Sequence, residues 1–281
     1  MLSSKEAAPV DPAGQYDQPP QTKHLRILNT GKQYSHDPYF GLRLLGHGLT
    51  GLILQIDEER VVKKAHNILL ENLLESDRSE VKYLNTINRE TLMHEIQVYE
   101  RLGSHNGIVS CFGTSECGIE LAFAKHGNLE NYIATHPEPH ESQKIGWILS
   151  LIEALQHVHS RRVFIDDIAL RNILVDEDGL KLSDFGQAML LPPETKMDTV
   201  CEKDVTAKIE MLHLGWVIYS IAVWRVHKYY IFDQEDLSWP KSEVLPVVDG
   251  IFCGRIIEKC WRGEYASIEA LNKEAHSSLR S

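Results

Sequence analysis

Short apolar runs separated by turn residues occupy the chain between Phe40 and Ala65. Each run is about as long as a strand, and glycines or charged residues divide one run from the next: Leu42–Leu45, Leu52–Ile56 and Val61–Val62. This pattern predicts three antiparallel strands joined by tight turns. Short apolar stretches return between Gly107 and Phe123, around two further glycines, and predict another hairpin.

Longer segments follow the period of a helix. Between Ile68 and Leu102 the chain has no proline or glycine, and apolar residues recur there at spacings of three and four: Leu92, Ile96, Tyr99 and Leu102. This spacing predicts an amphipathic helix. A second stripe comprises Ile145, Ile148, Leu149, Ile152 and Leu155. The segment from Met211 to Trp224 is mostly apolar and predicts a central helix.

The order of these elements indicates the fold class. A β-rich first third followed by a mostly helical remainder predicts an α+β protein of two lobes. Residues 1–36 contain few apolar residues and four prolines before Gln21. We therefore expect residues 1–36 to form a disordered tail and the folded domain to comprise residues 37–281.

Composition and charge narrow the classes of function. The chain has 281 residues, 43% of them apolar, and a net charge of -11. Such a chain can bury a core, which excludes fibrous and fully disordered classes, and its acidity disfavours binding to nucleic acids or anionic membranes. The longest apolar run, Leu214–Trp224, is shorter than the ~20 residues of a membrane span.

The cysteines and the N-terminus indicate the compartment. Five widely spaced cysteines form no C-x-x-C pair, so we expect reduced thiols. Residues 1–21 lack the apolar stretch of a secretory signal. Both features favour a cytoplasmic location, with the nucleus as the alternative.

A glycine cluster lies between the first two predicted strands. Gly46, Gly48 and Gly51 form G-x-G-x-x-G, in which the backbone can approach phosphate oxygens because no Cβ intervenes. A plain hairpin turn explains the cluster equally well. A strand rather than a helix follows the glycines, which disfavours a dinucleotide-binding site.

The third predicted strand ends in two lysines. On a strand, Val61 and Lys63 point to one face, so Val61 could line a nucleotide pocket while Lys63 reaches the phosphates. A register shifted by one residue would assign these roles to Val62 and Lys64. A solvated edge lysine is the structural alternative.

Two motifs are more specific. The run Ile165-Asp166-Asp167-Ile168-Ala169-Leu170-Arg171-Asn172 is followed ten residues after Leu174 by Asp184-Phe185-Gly186. In order and spacing these segments match H-R-D-L-x-x-x-N and D-F-G, and the chain resembles the eukaryotic protein kinase superfamily from about Tyr39 to about Ala275. Its compact, divergent form is similar to kinase-like proteins of filamentous fungi.

The resemblance implies a fold, cofactors and catalytic residues. It implies a bilobal kinase-like fold with a small lobe at about 37–124 and a large lobe at about 125–281, using ATP and Mg²⁺. Asn172 and Asp184 would bind the metal, and Asp167 would be the catalytic base. Lys63 would contact the phosphates and pair with Glu95, with Glu90 as the alternative partner.

The same resemblance implies the nucleotide pocket. Leu121 to Ala124 resembles the gatekeeper and hinge, and Leu174 would lie beneath the adenine. Arg171 could contact the developing phosphoryl charge. The expected nucleotide-binding residues are Gly46, Gly48, Gly51, Ile53, Val61, Lys63, Leu121, Phe123 and Leu174.

Several positions depart from the family pattern. Ile165 and Asp166 replace the His and Arg of H-R-D, so we do not expect activation through a phosphorylated loop. Asp166 adds a negative charge beside Asp167, which opposes ionisation of the base unless the two side chains point apart. The A-P-E motif is absent, and Glu210 stands where the family usually has Asp.

A long connection separates Lys63 from Glu95. Its apolar residues suggest an extra helix: Leu69, Leu70, Leu73, Leu74 and Leu84. This helix would cap the small lobe, with a docking surface for a partner as the alternative.

These features support three hypotheses of function. The first is a protein kinase that transfers the ATP γ-phosphate to a protein hydroxyl. The second is a pseudokinase, a nucleotide-binding interaction module without catalysis. The third is a kinase-fold enzyme acting on the hydroxyl of a small molecule, which would need no peptide groove. None of the three involves nucleic acid or a membrane.

Overall fold

A five-stranded antiparallel sheet forms the first part of the fold. The computed structural model of the protein describes residues 37–48, 50–71, 73–177, 179–234 and 238–280, so the predicted tail lies outside the described residues. The strands are β1 Arg43–His47, β2 Gly51–Gln55, β3 Arg60–Ala65, β4 Cys111–Ser115 and β5 Gly118–Ala122, arranged in the order β1-β2-β3-β5-β4. The three predicted strands and the later hairpin are confirmed.

A single long helix packs against the sheet. Helix α1 spans Glu75–Leu102 and buries the predicted stripe of Leu92, Ile96, Tyr99 and Leu102. The predicted extra helix is wrong. The described residues from His66 to Leu74 are not helical, and Leu84 lies within α1. Leu74 is 72% exposed, so the apolar residues of the connection do not form one buried cap.

The remainder of the chain is mostly helical. Its helices are α2 Leu129–Thr135, α3 Glu141–Ser160, α4 Ala207–Val223, α5 Gly254–Trp261 and α6 Ile268–Leu279. Two small antiparallel sheets lie among them: β6 Val163–Phe164 with β9 Met189–Leu190, and β7 Ile173–Asp176 with β8 Gly179–Leu182. The α+β class, with a β-rich first part and a helical second part, is confirmed.

Helices α3 and α4 form the centre of the helical part. Four of the five residues of the α3 stripe are buried and Ile145 is partly buried, and most of α4 is buried, as the sequences predict. Thr206 caps α4 by accepting a hydrogen bond from the Ile209 backbone N–H. All five cysteines are free thiols. No helix within the described ranges combines the length and the apolar composition that crossing a membrane requires.

Candidate active site

The register of the large sheet gathers the predicted pocket residues on one face. Ile53 lies opposite Lys63 on neighbouring strands, and Val61 lies opposite Leu121. Directly opposed residues of an antiparallel pair share a face, as do residues two apart on a strand. All four side chains therefore share the face on which Lys63 meets α1.

Lys63 forms two ion pairs at this face. Its Nζ lies 2.6 Å from Glu95 Oε2 on α1 and 2.6 Å from Asp184 Oδ1. Lys64 points to the opposite face, where its Nζ lies 5.8 Å from the centre of the Tyr39 ring. Glu90 is exposed on α1. Of the alternatives left open by the sequence, the structure pairs Lys63 with Glu95.

Burial and the neighbouring opposite charges shift the pKa of Lys63, and that of Glu95, in opposite directions. Burial lowers the pKa of Lys63, but the carboxylates of Glu95 and Asp184 outweigh it and leave that pKa raised. Burial raises the pKa of Glu95, and Lys63 partly offsets the effect. A charged Lys63 between two carboxylates is thus the favoured state.

The Asp184-Phe185-Gly186 segment is held in an unusual backbone conformation. Asp184 has a φ of 59°, in the left-handed region that non-glycine residues rarely adopt. The following Phe185 is fully buried, meets the Tyr99 ring edge-on with 5.2 Å between ring centres, and donates its backbone N–H to Glu95 Oε1 at 3.2 Å. Packing against α1 thus holds Asp184 at Lys63.

A short loop and turn before β7 carry the predicted base. Arg171 Nη2 donates to Asp167 Oδ2 at 2.5 Å, and Asn172 Nδ2 donates to the same oxygen at 2.8 Å. Ser183 donates from both its backbone N–H and its hydroxyl to the Asn172 carbonyl, at 2.9 and 2.8 Å. The segment of Asp167 and Asn172 is therefore bonded directly to the segment of Asp184.

The two adjacent aspartates point to different partners. Asp166 Oδ2 accepts a hydrogen bond from the Tyr230 hydroxyl at 3.0 Å, while Asp167 faces Arg171 and Asn172. Burial raises the pKa of Asp166. The two carboxylates therefore have separate hydrogen-bond partners, and the charge of Asp167 adds to the rise in the Asp166 pKa.

Glu210 anchors the loop to α4. This fully buried carboxylate accepts from the Ile165 backbone N–H at 2.7 Å and lies 2.7 Å from His159 Nε2 of α3. Burial raises the pKa of Glu210, and His159 acts in the opposite direction. The longer Glu therefore still reaches the loop, although the family usually has Asp at this position.

The glycine turn joins β1 and β2. Gly48 donates its N–H to the Gly51 carbonyl at 2.8 Å. A Cβ on Gly51 would lie 2.6 Å from the Lys64 carbonyl oxygen, so only glycine fits there. His66, which follows β3, has its Nε2 3.0 Å from the Gly48 carbonyl, and its ring stacks on His47 at 5.7 Å.

The predicted hinge follows β5. Leu121 is buried, and Phe123, partly buried, donates its N–H to the Glu59 carbonyl at 2.8 Å. Leu174 lies on β7 and forms an isolated bridge with Asn128. These contacts tie the connection after β5 to the turn before β3 and to β7.

Three residues at the site were missed by sequence reasoning. His66 holds the glycine turn, Tyr230 holds Asp166, and His94 on α1 lies 2.6 Å from the Ala188 carbonyl just after D-F-G. Each contact joins residues at least 18 positions apart. No local motif marks these positions, so only the fold reveals them.

The comparisons with known proteins agree with this geometry. The sequence profile described as "Protein kinase domain" matches residues 42–209. The chain belongs to the protein kinase family. The match covers the kinase sheet, the Asp167 loop and D-F-G, and it ends within α4.

Curated kinases are similar at low identity. A putative ribosomal protein S6 kinase alpha-2 of Caenorhabditis elegans is 29% identical over 59% of this chain and 22% of its own length. The serine/threonine-protein kinase ATG1b of Arabidopsis thaliana is 27% identical over 66% of this chain and 24% of its own. A probable serine/threonine-protein kinase MARK-B of Dictyostelium discoideum is 30% identical over 44% and 18%. The chain thus spans no more than about a quarter of these relatives.

Proposed function

We propose that the protein transfers the γ-phosphate of Mg-ATP to a hydroxyl group of a protein. The observation that carries this proposal is the group of Lys63, Glu95 and Asp184, in which Nζ lies 2.6 Å from each carboxylate. Phosphoryl transfer requires a protein chiefly to position the reactants and to neutralise charge. A buried lysine paired with a half-exposed carboxylate suits both requirements.

The residues present fit ATP and Mg²⁺. Apart from Gly46 itself and its two chain neighbours, no described residue has an atom within 4 Å of a Cβ built on Gly46, so a ligand has room to approach this backbone. The Asp184 side chain is 53% exposed, and an acid and an amide are oxygen donors of the kind that Mg²⁺ prefers. Asn172 and Asp184 would hold the metal, which supplies positive charge to the phosphates when bound.

The shortage of protein ligands also suits magnesium. Within the described part of the chain, no group of three or more His, Cys, Asp or Glu side chains could hold a metal ion. Mg²⁺ is usually bound by one or two carboxylates together with substrate phosphates and water. This agrees with a metal that arrives with ATP.

Each remaining residue has a role in the proposed reaction. Lys63 would bind phosphate oxygens while Glu95 holds its ammonium group in place. The Asp167 carboxylate would orient the acceptor hydroxyl and accept its proton. Arg171, ion-paired to Asp167 at 2.5 Å, would orient that carboxylate and lie near the developing charge.

A small-molecule hydroxyl is the second candidate acceptor. The observation in its favour is the short segment between D-F-G and α4, which lacks the A-P-E motif of the peptide-binding platform. A protein acceptor is preferred because the curated relatives are named as serine/threonine-protein kinases.

Phosphate transfer from γ-labelled ATP tests the proposal. The wild type should label itself or a peptide library containing Ser, Thr and Tyr. Asp167→Ala should lower the rate by at least about 100-fold, the range typical of a lost general base. Asp184→Asn should abolish transfer through loss of the metal ligand. Asp249→Asn, the same change at an exposed position, is the matched control and should keep the wild-type rate.

Binding is measured separately. Mg-ATP at about 100 times its dissociation constant should stabilise the fold by about 2.7 kcal/mol, and the thermal midpoint reports this shift. A wild type that shows the shift but labels neither itself, nor peptides, nor small alcohols, and releases no phosphate to water is a pseudokinase. No shift with Mg-ATP would contradict the protein kinase and the small-molecule kinase together.

A further inference from the structure

Asp166 stands where the family has the arginine of H-R-D, and it has acquired a different partner. Its carboxylate accepts a hydrogen bond from Tyr230, 64 positions along the chain, at 3.0 Å. Both side chains are partly buried. Burial, and after it the negative charges of Asp166 and Asp167, raise the pKa of Tyr230. The hydroxyl therefore stays protonated and remains a donor.

Tyr230 is itself fixed by helix α4. The Tyr230 ring lies 5.2 Å from the ring of His213, and the next backbone N–H, that of Ile231, donates to His213 Nε2 at 3.2 Å. Ile231 is buried. Phe232 packs edge-on against Tyr230 at 5.3 Å. The hydroxyl is thus presented to Asp166 by a segment that packs against α4.

One turn of α4 holds two consecutive residues of the loop. Glu210 and His213 are three residues apart and so lie on one side of the helix. Glu210 binds the Ile165 N–H directly, at 2.7 Å, and His213 supports Tyr230, which binds Asp166. Asp167 follows immediately, so both attachments act on the backbone that carries the proposed base.

We propose that Tyr230 is a positioning residue, which holds the Asp166 carboxylate away from Asp167 and fixes the catalytic loop without a phosphorylated activation segment. This inference rests on the proposed function. Burial raises the pKa of Asp166, the hydrogen bond from Tyr230 lowers it, and the neighbouring charges of Asp167 and Lys203 make smaller contributions of opposite sign.

A double-mutant cycle tests the contact and its role. Tyr230→Phe should lower kcat by about tenfold, the order expected for a lost hydrogen bond to a charged group, and change the KM for ATP by less than twofold. In the Asp166→Ala background, Tyr230→Phe should have no further effect, because its partner is gone. Tyr229→Phe, the same change in a neighbouring ring that stacks on Trp216, should keep wild-type kinetics.

Two further measurements separate the possible failures. Urea unfolding of the same four proteins should show that Tyr230→Phe destabilises the wild type but not Asp166→Ala; equal destabilisation in both backgrounds overturns the contact. If the wild type is active and the effects of the two substitutions on kcat are additive, the positioning role of Tyr230 is wrong, although the contact with Asp166 can still stand.

Removal of phosphate by an immobilised phosphatase should leave turnover unchanged, and loss of turnover would overturn independence from phosphorylation. A wild type that binds Mg-ATP but transfers nothing overturns the proposed function and, with it, the role of Tyr230 in turnover.

Discussion

Lys63 is a cation that the fold buries and nevertheless keeps charged. Its side chain is only 10% exposed, and the Glu95 side chain only 1%. A buried carboxylate without a partner is costly and tends to take up a proton instead. Glu95 therefore depends on Lys63 for its charge, and Lys63 depends on Glu95 and Asp184 for its own.

Lys63→Met should destabilise the protein at pH 8 by about 3–5 kcal/mol, the range for removing one partner of a buried ion pair. Burial already raises the pKa of Glu95, and Lys63 offsets part of that rise, so the substitution raises the pKa further. Between the ordinary pKa of a glutamate and this raised value, Glu95 holds a proton in the folded protein that it has released in the unfolded chain. The loss of stability caused by Lys63→Met should therefore be smaller at pH 5 than at pH 8. Urea unfolding at both pH values would measure this difference.

Lys64→Met is the matched control, since the neighbouring lysine lies on the other face of the sheet near Tyr39. Its effect should stay within about 1 kcal/mol and should not depend on Glu95. Equal losses in the two variants, or a Lys63→Met loss that is independent of pH, would contradict the assigned ion pair.

Helix α1 illustrates how far periodicity predicts an element. The spacing of its apolar residues gave the helix, its buried face and its end at Leu102, because these depend on neighbours three and four positions apart. The segment without proline or glycine predicts a start at Ile68, seven residues before the first helical residue, Glu75. The acidic residues Glu75 and Asp77 occupy the first turn, where the helix dipole favours them.

The reason for that error lies in contacts between distant residues. Asn85 of α1 binds both the N–H and the carbonyl of Ile68 at 2.8 Å, and Asn88 donates to the His66 carbonyl at 3.2 Å. These amides hold the connection in a non-helical form beside the helix.

The same distinction between local spacing and distant contacts applies to the candidate site. Motif spacing predicted Asp167, Asn172 and Asp184 as a set, whereas no spacing could predict their supporting residues His66 and Tyr230.

The glycine turn also depends on such a support. His66→Ala removes a hydrogen bond to the Gly48 carbonyl and the stacking on His47. Since a net hydrogen bond contributes about 0.5–1.5 kcal/mol, we expect the KM for ATP to rise by about 2- to 10-fold with little change in kcat. Steady-state kinetics with varied ATP would measure this. His66→Gln keeps a donor and should recover part of the affinity; an equal fall in kcat for both variants would point to general unfolding.

At the scale of the whole molecule, α4 connects the packing of the helical part to the candidate site. Its side chains reach α3 through His159, the loop that precedes Asp167 through Ile165, and the segment before α5 through Ile231. Polar groups inside a helix this apolar must be hydrogen-bonded, because burial without a partner is costly. Glu210 meets this requirement through Ile165 and His159, and His213 meets it at Nε2 by accepting from the Ile231 N–H, while His213 Nδ1 has no partner among the described residues. The stability of the core and the position of the loop are therefore coupled.

His213 makes that coupling measurable through pH. Burial lowers its pKa from 6.5 to about 4, so between these values the unfolded chain binds a proton that the folded protein does not, and stability must fall as the pH falls. A shift of this size corresponds to a loss of about 2 kcal/mol between pH 7 and pH 5. Urea unfolding at the two pH values should show this loss in the wild type and a correspondingly smaller one in His213→Gln, whose amide oxygen can still accept from Ile231. The same pH dependence in both proteins would mean that another group, and not the neutral imidazole in α4, controls the acid sensitivity of the fold.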